Sequence, residues 1–304
     1  MKKTFYSNGK LLLTGEYAVL DGARTLALPT RFGQYLEVEP FEDDLLQWTS
    51  EDADGSVWFE ETMRIDATGK WLPINETPEA KRLAQILKAA HMANPRIAGP
   101  SGYKITTRLT FPRNWGLGSS STLINNIAHW FDIDPYQLLA ETFGGSGYDI
   151  ACARHNTPII YRNDYGTPEV EPVTFNPPFA DNLYFVYLNR KQDSREGITA
   201  YRNKQNDIAN LIPQIDALTQ AVLKAESPDD FCKALEAHEE LMSDILGMPT
   251  VKQSLFPDFP GTLKSLGAWG GDFILAASDE NPEGYFRSRN FDTVIPYREM
   301  ILGG

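Results

Sequence analysis

The chain has only two cysteines, Cys152 and Cys232, among 304 residues. Two thiols exclude a disulfide framework and a four-cysteine metal site, and they point to reduced, buried side chains in a cytoplasmic protein. Long apolar runs are missing too. No stretch approaches the roughly 18 consecutive apolar residues of a membrane-spanning helix. Basic residues are scarce, 28 Lys and Arg against 41 Asp and Glu, and the formal net charge of −13 opposes non-specific binding to nucleic acid or to an anionic membrane. It does not oppose a small anionic substrate, because a few local cations reverse the field inside a cleft. The opening MKKTFYSNGKLLLTGEY has a basic tip, but its apolar run is short, Glu16 follows early and no small-residue cleavage site is present. No secretory signal is expected.

Hydrophobic residues make up 42% of the chain and aromatics 12%, enough for one large or two modest cores and too much for a disordered or fibrous protein. Residues 10–20 (KLLLTGEYAVL) read as a strand, a tight turn at Gly15 and then extended or helical chain. Residues 34–40 and 102–111 alternate as strands, and 157–162 and 182–189 also look like strands. The acidic stretch 42–56 reads as an exposed hairpin or loop. Helical spacing predicts a helix over 78–93, opened by Pro78, with Leu83, Ile86, Leu87 and Ala90 on one face. A shorter helix opens at Pro135, and long amphipathic helices cover 195–225 and 228–246. In the last of these His238 is expected at the helix surface or its boundary rather than as a ligand. The Pro-rich stretch 168–178 is the best boundary, dividing the chain into 1–170 and 171–304. The pattern of elements suggests an α+β protein in two lobes.

Four segments carry candidate chemistry. Gly116-Leu117-Gly118-Ser119-Ser120-Ser121 feeds a helical stretch, which is either a phosphate cradle at a helix N-terminus or an ordinary serine cap after a tight turn. It lacks the Lys-Ser/Thr of a Walker loop. Gly144-Gly145-Ser146-Gly147-Tyr148-Asp149 presents one carboxylate among three glycines, either to accept the proton of a substrate hydroxyl or to cap the next helix. Gly267 to Asp272 is a Gly-rich turn before an apolar run, and Lys10 stands just before a buried strand.

Taken in order, GKLLLTGEYAVL, PRNWGLGSSS, GSGYDIA and KSLGAWGGD resemble the signature set of the galactokinase, homoserine, mevalonate and phosphomevalonate (GHMP) kinase superfamily, over most of the chain. The resemblance implies an N-terminal ribosomal protein S5 domain 2-like lobe and a C-terminal ferredoxin-like lobe. It implies that the loop of Pro112, Gly116, Leu117, Gly118, Ser119, Ser120 and Ser121 wraps the phosphates of ATP. Asp149 becomes the catalytic carboxylate and Lys10 its partner at the reacting oxygen. Mg²⁺ is assigned to Ser119 with Glu141 as the candidate carboxylate, and the substrate side to Lys10, Glu16, Tyr17, Ser146, Gly147, Gly270 and Gly271. The sequence departs from the usual pattern at Thr122, where a small residue is more common, and at Trp269, where a glycine is; Trp269 could narrow the site. GEYAVL, GSGYDIACA and GGD are similar to the phosphomevalonate kinase branch, although Phe273 takes the place of its cysteine. The cations Arg190, Lys191 and Arg195 fit an anionic substrate or a solvated turn, and Lys191 and Arg195 are assigned to substrate. The expectation is therefore a cytoplasmic ATP-dependent kinase, monomeric or homodimeric, acting on phosphomevalonate. Mevalonate kinase, a related decarboxylase and a non-catalytic nucleotide-binding protein are the alternatives.

Overall fold

The computed structural model of the chain describes every residue except 43–44, 67–70, 97–101, 165, 191–193, 204–207 and 304. Contacts divide it into two compact units, each assembled from separate pieces of chain: 1–9, 32–113 and 117–154 in the first, 10–31, 114–116 and 155–304 in the second. The chain passes between the units several times, last between Arg154 and His155, whereas the sequence reading put a single boundary after 170. β2 (Thr25–Phe41) follows β1 (Lys3–Leu12) and runs through both units.

In the first unit β3 (Leu45–Glu51), β4 (Val57–Ile65) and β5 (Trp71–Pro73) precede helix α1 (Pro78–Ala93) and strand β6 (Gly102–Leu109). The sheet order is β5-β4-β3-β6-β2, antiparallel except where β3 and β6 run parallel. The acidic stretch expected to be an exposed hairpin or loop is in large part β3, an interior strand. Leu46, Trp48 and Ser50 alternate inward, while Glu42 precedes the strand, Glu51 ends it and Asp52 and Asp54 lie in the turn that follows. Thr77 accepts the Ala80 N–H and Pro78 opens α1, as its sequence dictates. Its face Leu83, Ile86, Leu87 and Ala90 is buried in the unit's core. Each such aliphatic side chain contributes about 1.5–3 kcal/mol on full burial. Helices α2 (Ser119–Phe131), α3 (Pro135–Thr142) and α4 (Tyr148–Arg154) complete the same core through Ile124, Leu138 and Ile150.

In the second unit the first residues of β2 pair with β7 (Ile159–Asp164), which pairs with β8 (Thr167–Pro172). The Pro-rich stretch read as the boundary thus begins as a strand. β9 (Leu183–Tyr187) is followed by helices α5 (Ser194–Arg202), α6 (Ile208–Lys224), α7 (Pro228–Leu246) and α8 (Val251–Leu255). Then come β10 (Thr262–Ser265), β11 (Phe273–Ala277), α9 (Glu283–Arg287), β12 (Val294–Pro296) and α10 (Tyr297–Met300). The small sheet is antiparallel in the order β10-β11-β9-β12. Tyr17, Tyr201, Ile215, Met242 and Trp269 form a core among the helices, and Val186, Ile274, Phe256 and Phe286 another on the sheet. Among the described residues no helix is long and apolar enough to cross a membrane.

Candidate active site

The first unit contributes a helix N-terminus that opens on a cavity. Gly118 caps α2 in the left-handed region, φ 93°, and no side chain caps the helix. A side chain there would strain the backbone, which is why the turn uses glycine. The first-turn N–H groups and the positive end of the helix dipole are thereby left to a ligand. The hydroxyls after Gly118 divide in two. Ser121 donates to Gly118 O at 2.8 Å, and Thr122 bonds Gln34 Oε1 at 3.0 Å and the backbone of its own turn. Thr122, unusual for the motif, is thus a buried structural hydroxyl. Ser119 and Ser120 instead line a cavity of about 380 Å³. Its walls carry two arginine–aromatic pairs, Arg113 over Trp58 at 4.6 Å and Arg82 over Phe143 at 5.0 Å, and Ile86 and Leu83 give it an apolar side. Pro112 is half-buried and Leu117 fully buried.

Asp149 lies in the first turn of α4, half-buried, with one oxygen accepting the Ile150 N–H at 3.1 Å. The glycines before it have φ of 68°, 112° and 87° at Gly144, Gly145 and Gly147, so the backbone follows a path closed to most side chains. Ser146 is half-buried and Gly147 buried. Glu141 is exposed near the end of α3 and accepts from Gln137 Nε2 at 3.0 Å, one turn away.

The second unit holds Lys10, Glu16, Tyr17, Gly116 and the third glycine turn. Lys10 Nζ donates to Gly116 O at 3.0 Å. Gly116, at φ 67°, stands against Asp272, and a Cβ there would lie 2.0 Å from Asp272 Oδ2. Asn114 and Trp115 are held on the small sheet, by Tyr187 Oη donating to Asn114 O at 2.8 Å and by Trp115 meeting Phe273 edge-on at 5.4 Å. Phe273, where the resembling branch has cysteine, serves this packing. Asp272, at φ 42°, donates its N–H to Arg190 O at 3.0 Å. Gly270 is half-buried and Gly271 buried in the turn between them, where Gly271 N–H meets Ala268 O. Lys191 lies outside the described residues, as does the side chain of Arg195 in α5.

Glu16 is 1% exposed and ion-paired with Lys264, Oε1 to Nζ at 2.5 Å. Burial pushes its carboxyl up to about 7, against the pull of Lys264. Burial would lower the Lys264 ammonium, but Glu16 and Glu239 outweigh it and hold it above its ordinary value. His238 is fully buried rather than at the helix surface or boundary. Its Nε2 accepts the Gly15 N–H at 2.9 Å, so it is neutral, and burial followed by the Lys264 charge keeps its pKa well below the ordinary value. Tyr17 has φ 57° and is 8% exposed, with Oη accepting the Trp269 N–H at 2.9 Å. Trp269 is buried among the helices, its Nε1 donating to Pro249 O at 3.1 Å. Lys264, Glu239 and His238 were not legible as a group, because their partners are far away in sequence. The only local signal was a lysine in a strand beside the glycine turn.

No family model and no curated protein sequence matches the chain. Solved structures do. A mevalonate kinase from Methanococcus jannaschii is 18% identical with a TM-score of 0.68, covering 97% of this chain and 96% of that one. A Streptococcus pneumoniae phosphomevalonate kinase, solved with phosphomevalonate and AMPPNP, is 16% identical with a TM-score of 0.66, covering 95% and 96%. A D-glycero-D-manno-heptose 1-phosphate kinase from Bacteroides thetaiotaomicron is 15% identical with a TM-score of 0.68, covering 99% and 96%. The likeness runs over nearly the whole length of each chain, and this chain, with its large mixed sheet and smaller antiparallel sheet, has the fold of these GHMP kinase structures.

Proposed function

We propose that the chain is an ATP-dependent kinase that transfers the γ-phosphoryl group to a small hydroxylated acid, phosphomevalonate before others. The observation that carries the reading is the uncapped N-terminus of α2 opening on the cavity beside Ser119 and Ser120. Its N–H groups suit phosphate oxygens, and the arginine–aromatic walls suit a planar base. Phosphoryl transfer asks a protein mainly for positioning and charge neutralisation. In this reading Asp149 accepts or orients the proton of the attacking hydroxyl, and the Lys10 ammonium stabilises the oxygen that carries it. Among the described residues no cluster of three or more His, Cys, Asp or Glu could cage a metal ion. A hydroxyl such as that of Ser119 fits Mg²⁺ arriving on the nucleotide, since this ion commonly keeps phosphates and water as most of its ligands. Ser119 would hold it, with Glu141 the candidate carboxylate; when bound, the ion neutralises phosphate charge.

The preference for phosphomevalonate rests on the GEYAVL, GSGYDIACA and GGD motifs, on Arg190 beside Asp272, and on Lys191 and Arg195 in the sequence after it. The test is ADP release with mevalonate, phosphomevalonate, homoserine, galactose and a heptose phosphate, with CO₂ detection in parallel. Phosphomevalonate should give the highest kcat/KM with no CO₂. A higher value for mevalonate would overturn the acceptor, and no ADP release with any acceptor would overturn the kinase reading.

A further inference from the structure

The second unit contains an ionic cluster that the proposed chemistry does not use. Lys264, near the end of β10, is fully buried. Its ammonium reaches Glu16 Oε1 at 2.5 Å, Ser265 O at 2.6 Å and Glu239 Oε2 at 3.2 Å. Glu239, on α7, also takes the Ser265 N–H at 3.1 Å and its hydroxyl at 2.7 Å. The residue before it on α7, His238, accepts the Gly15 N–H. Ser265 ends β10, and only Leu266 separates it from the glycine turn that runs from Gly267 to Asp272.

The far side of that turn is held by the next residue of the same N-terminal segment. Tyr17 Oη accepts the Trp269 N–H, and the Tyr17 ring stacks on Tyr201 with centroids 6.2 Å apart. The same ring closes against Gly197 of α5, where a Cβ would lie 2.2 Å from Tyr17 Oη. Tyr17 adopts φ 57°, a conformation a non-glycine side chain holds only when its surroundings over-determine it. Two adjacent residues therefore grip the two sides of one glycine turn. Glu16 does so through Lys264, and Tyr17 does so directly.

This arrangement separates two roles. A residue that binds substrate keeps polar atoms free to face it. Glu16 Oε1 and Tyr17 Oη are instead engaged inside the fold, Glu16 Oε2 is enclosed beside His238 Nε2 at 3.5 Å, and both side chains are more than nine-tenths buried. A glycine turn left without such anchors would sample many backbone conformations.

We propose that Lys264 is a positioning residue for acceptor binding, clamping the Gly267–Gly271 turn to the Gly15–Tyr17 turn through Glu16 and Glu239, with Tyr17 as the second anchor. The proposal deepens the kinase reading and rests on it for the substrate, but the clamp itself has a readout independent of turnover.

The test uses the full chain and three variants: Lys264→Met combined with Glu16→Gln, Glu16→Gln alone, and Tyr17→Phe. The double variant removes the ammonium without leaving Glu16 as a bare buried carboxylate. Hydrogen exchange should show faster exchange at Trp269 and Gly271 in each variant, with amides of α2 unchanged. With the acceptor that the panel of substrates identifies, the acceptor KM should rise about tenfold to a hundredfold in the double variant, the scale of a small misplacement of a bound group. The KM for ATP and the affinity for AMPPNP by calorimetry should stay within about twofold. Unchanged exchange at Trp269 and Gly271 in the variants overturns the clamp. Unchanged acceptor KM, or AMPPNP affinity falling in step with acceptor KM, overturns the positioning role. If the double variant does not fold, the two single variants decide by the same criteria. If the wild-type chain releases no ADP with any acceptor, the kinase reading and the acceptor role fall together, while exchange still decides the clamp.

Discussion

Glu16→Gln should change how stability depends on pH, and the sign can be worked out from the cluster around it. Lys264 from β10 and Glu239 and His238 from α7 face this carboxylate. His238 is neutral across the range because its pKa is held well below the ordinary value. Two carboxylates therefore share one ammonium, and the cluster has one negative charge too many unless a proton joins it. Glu16 Oε2, buried and without a hydrogen-bond partner among the described residues, is the atom that can take it. The carboxyl is raised from 4.5 to about 7 in the folded chain. A group raised on folding contributes stability that is fully present below its unfolded value and is lost as pH rises through its folded one. From 4.5 to 7, at about 1.4 kcal/mol for each pH unit, the loss is roughly 3 kcal/mol. Glutamine has nearly the same shape and cannot titrate. Urea unfolding of both proteins between pH 4.5 and 8 isolates the effect as a difference, since the other groups cancel. The wild type should lose roughly 3 kcal/mol relative to the variant across that window and nothing further above it. A constant difference, or a wild type that gains on the variant as pH rises, would refute the reasoning. It would mean that Lys264 outweighs burial and keeps Glu16 ionised throughout.

Asp149→Asn should fold, keep its AMPPNP affinity by calorimetry and lose at least about a hundredfold in ADP release, the lower scale for removing a general base; near-wild-type turnover would remove this residue from the chemistry. Gly118→Val should weaken AMPPNP binding while the chain still folds, with some loss in the thermal midpoint, because a Cβ at φ 93° strains the turn that aims the α2 amides. Gly116→Ala puts a Cβ 2.0 Å from Asp272 Oδ2 and should cost roughly 1–3 kcal/mol by urea unfolding. Asp272→Ala in the same chain should recover part of that loss.

What could be read from the sequence was what depends on near neighbours. α1 was legible because Pro78 and the spacing of Leu83, Ile86, Leu87 and Ala90 all act within a few residues. The turn before Asp149 was legible for the same reason, since Gly144, Gly145 and Gly147 announce a backbone path locally. β3 was missed because the acids on either side of Leu46, Trp48 and Ser50 obscure a short alternation. Its burial comes from β6, whose partner residues lie far along the chain. His238 was misjudged because its partner, the Gly15 N–H, is 223 residues away. Trp269 was read as a side chain that could narrow the site, and nothing in the local sequence says that Pro249 O and the helix core receive it.

The long β2 strand also has a consequence for how this protein comes into being. Pairing Thr25 with Tyr161 joins residues 136 apart, and the second unit is not fully supplied until the ribosome has delivered both. Cutting the gene after residue 170 would leave Lys10–Arg31, Asn114–Gly116 and the chain from His155 to 170 with the first unit, so the C-terminal product would lack three stretches of the second unit. Contacts of that span slow folding, because the chain is ordered before the contacts reward it. Newly made protein therefore has to wait for contacts of this span, and that interval is when a chaperone would find it.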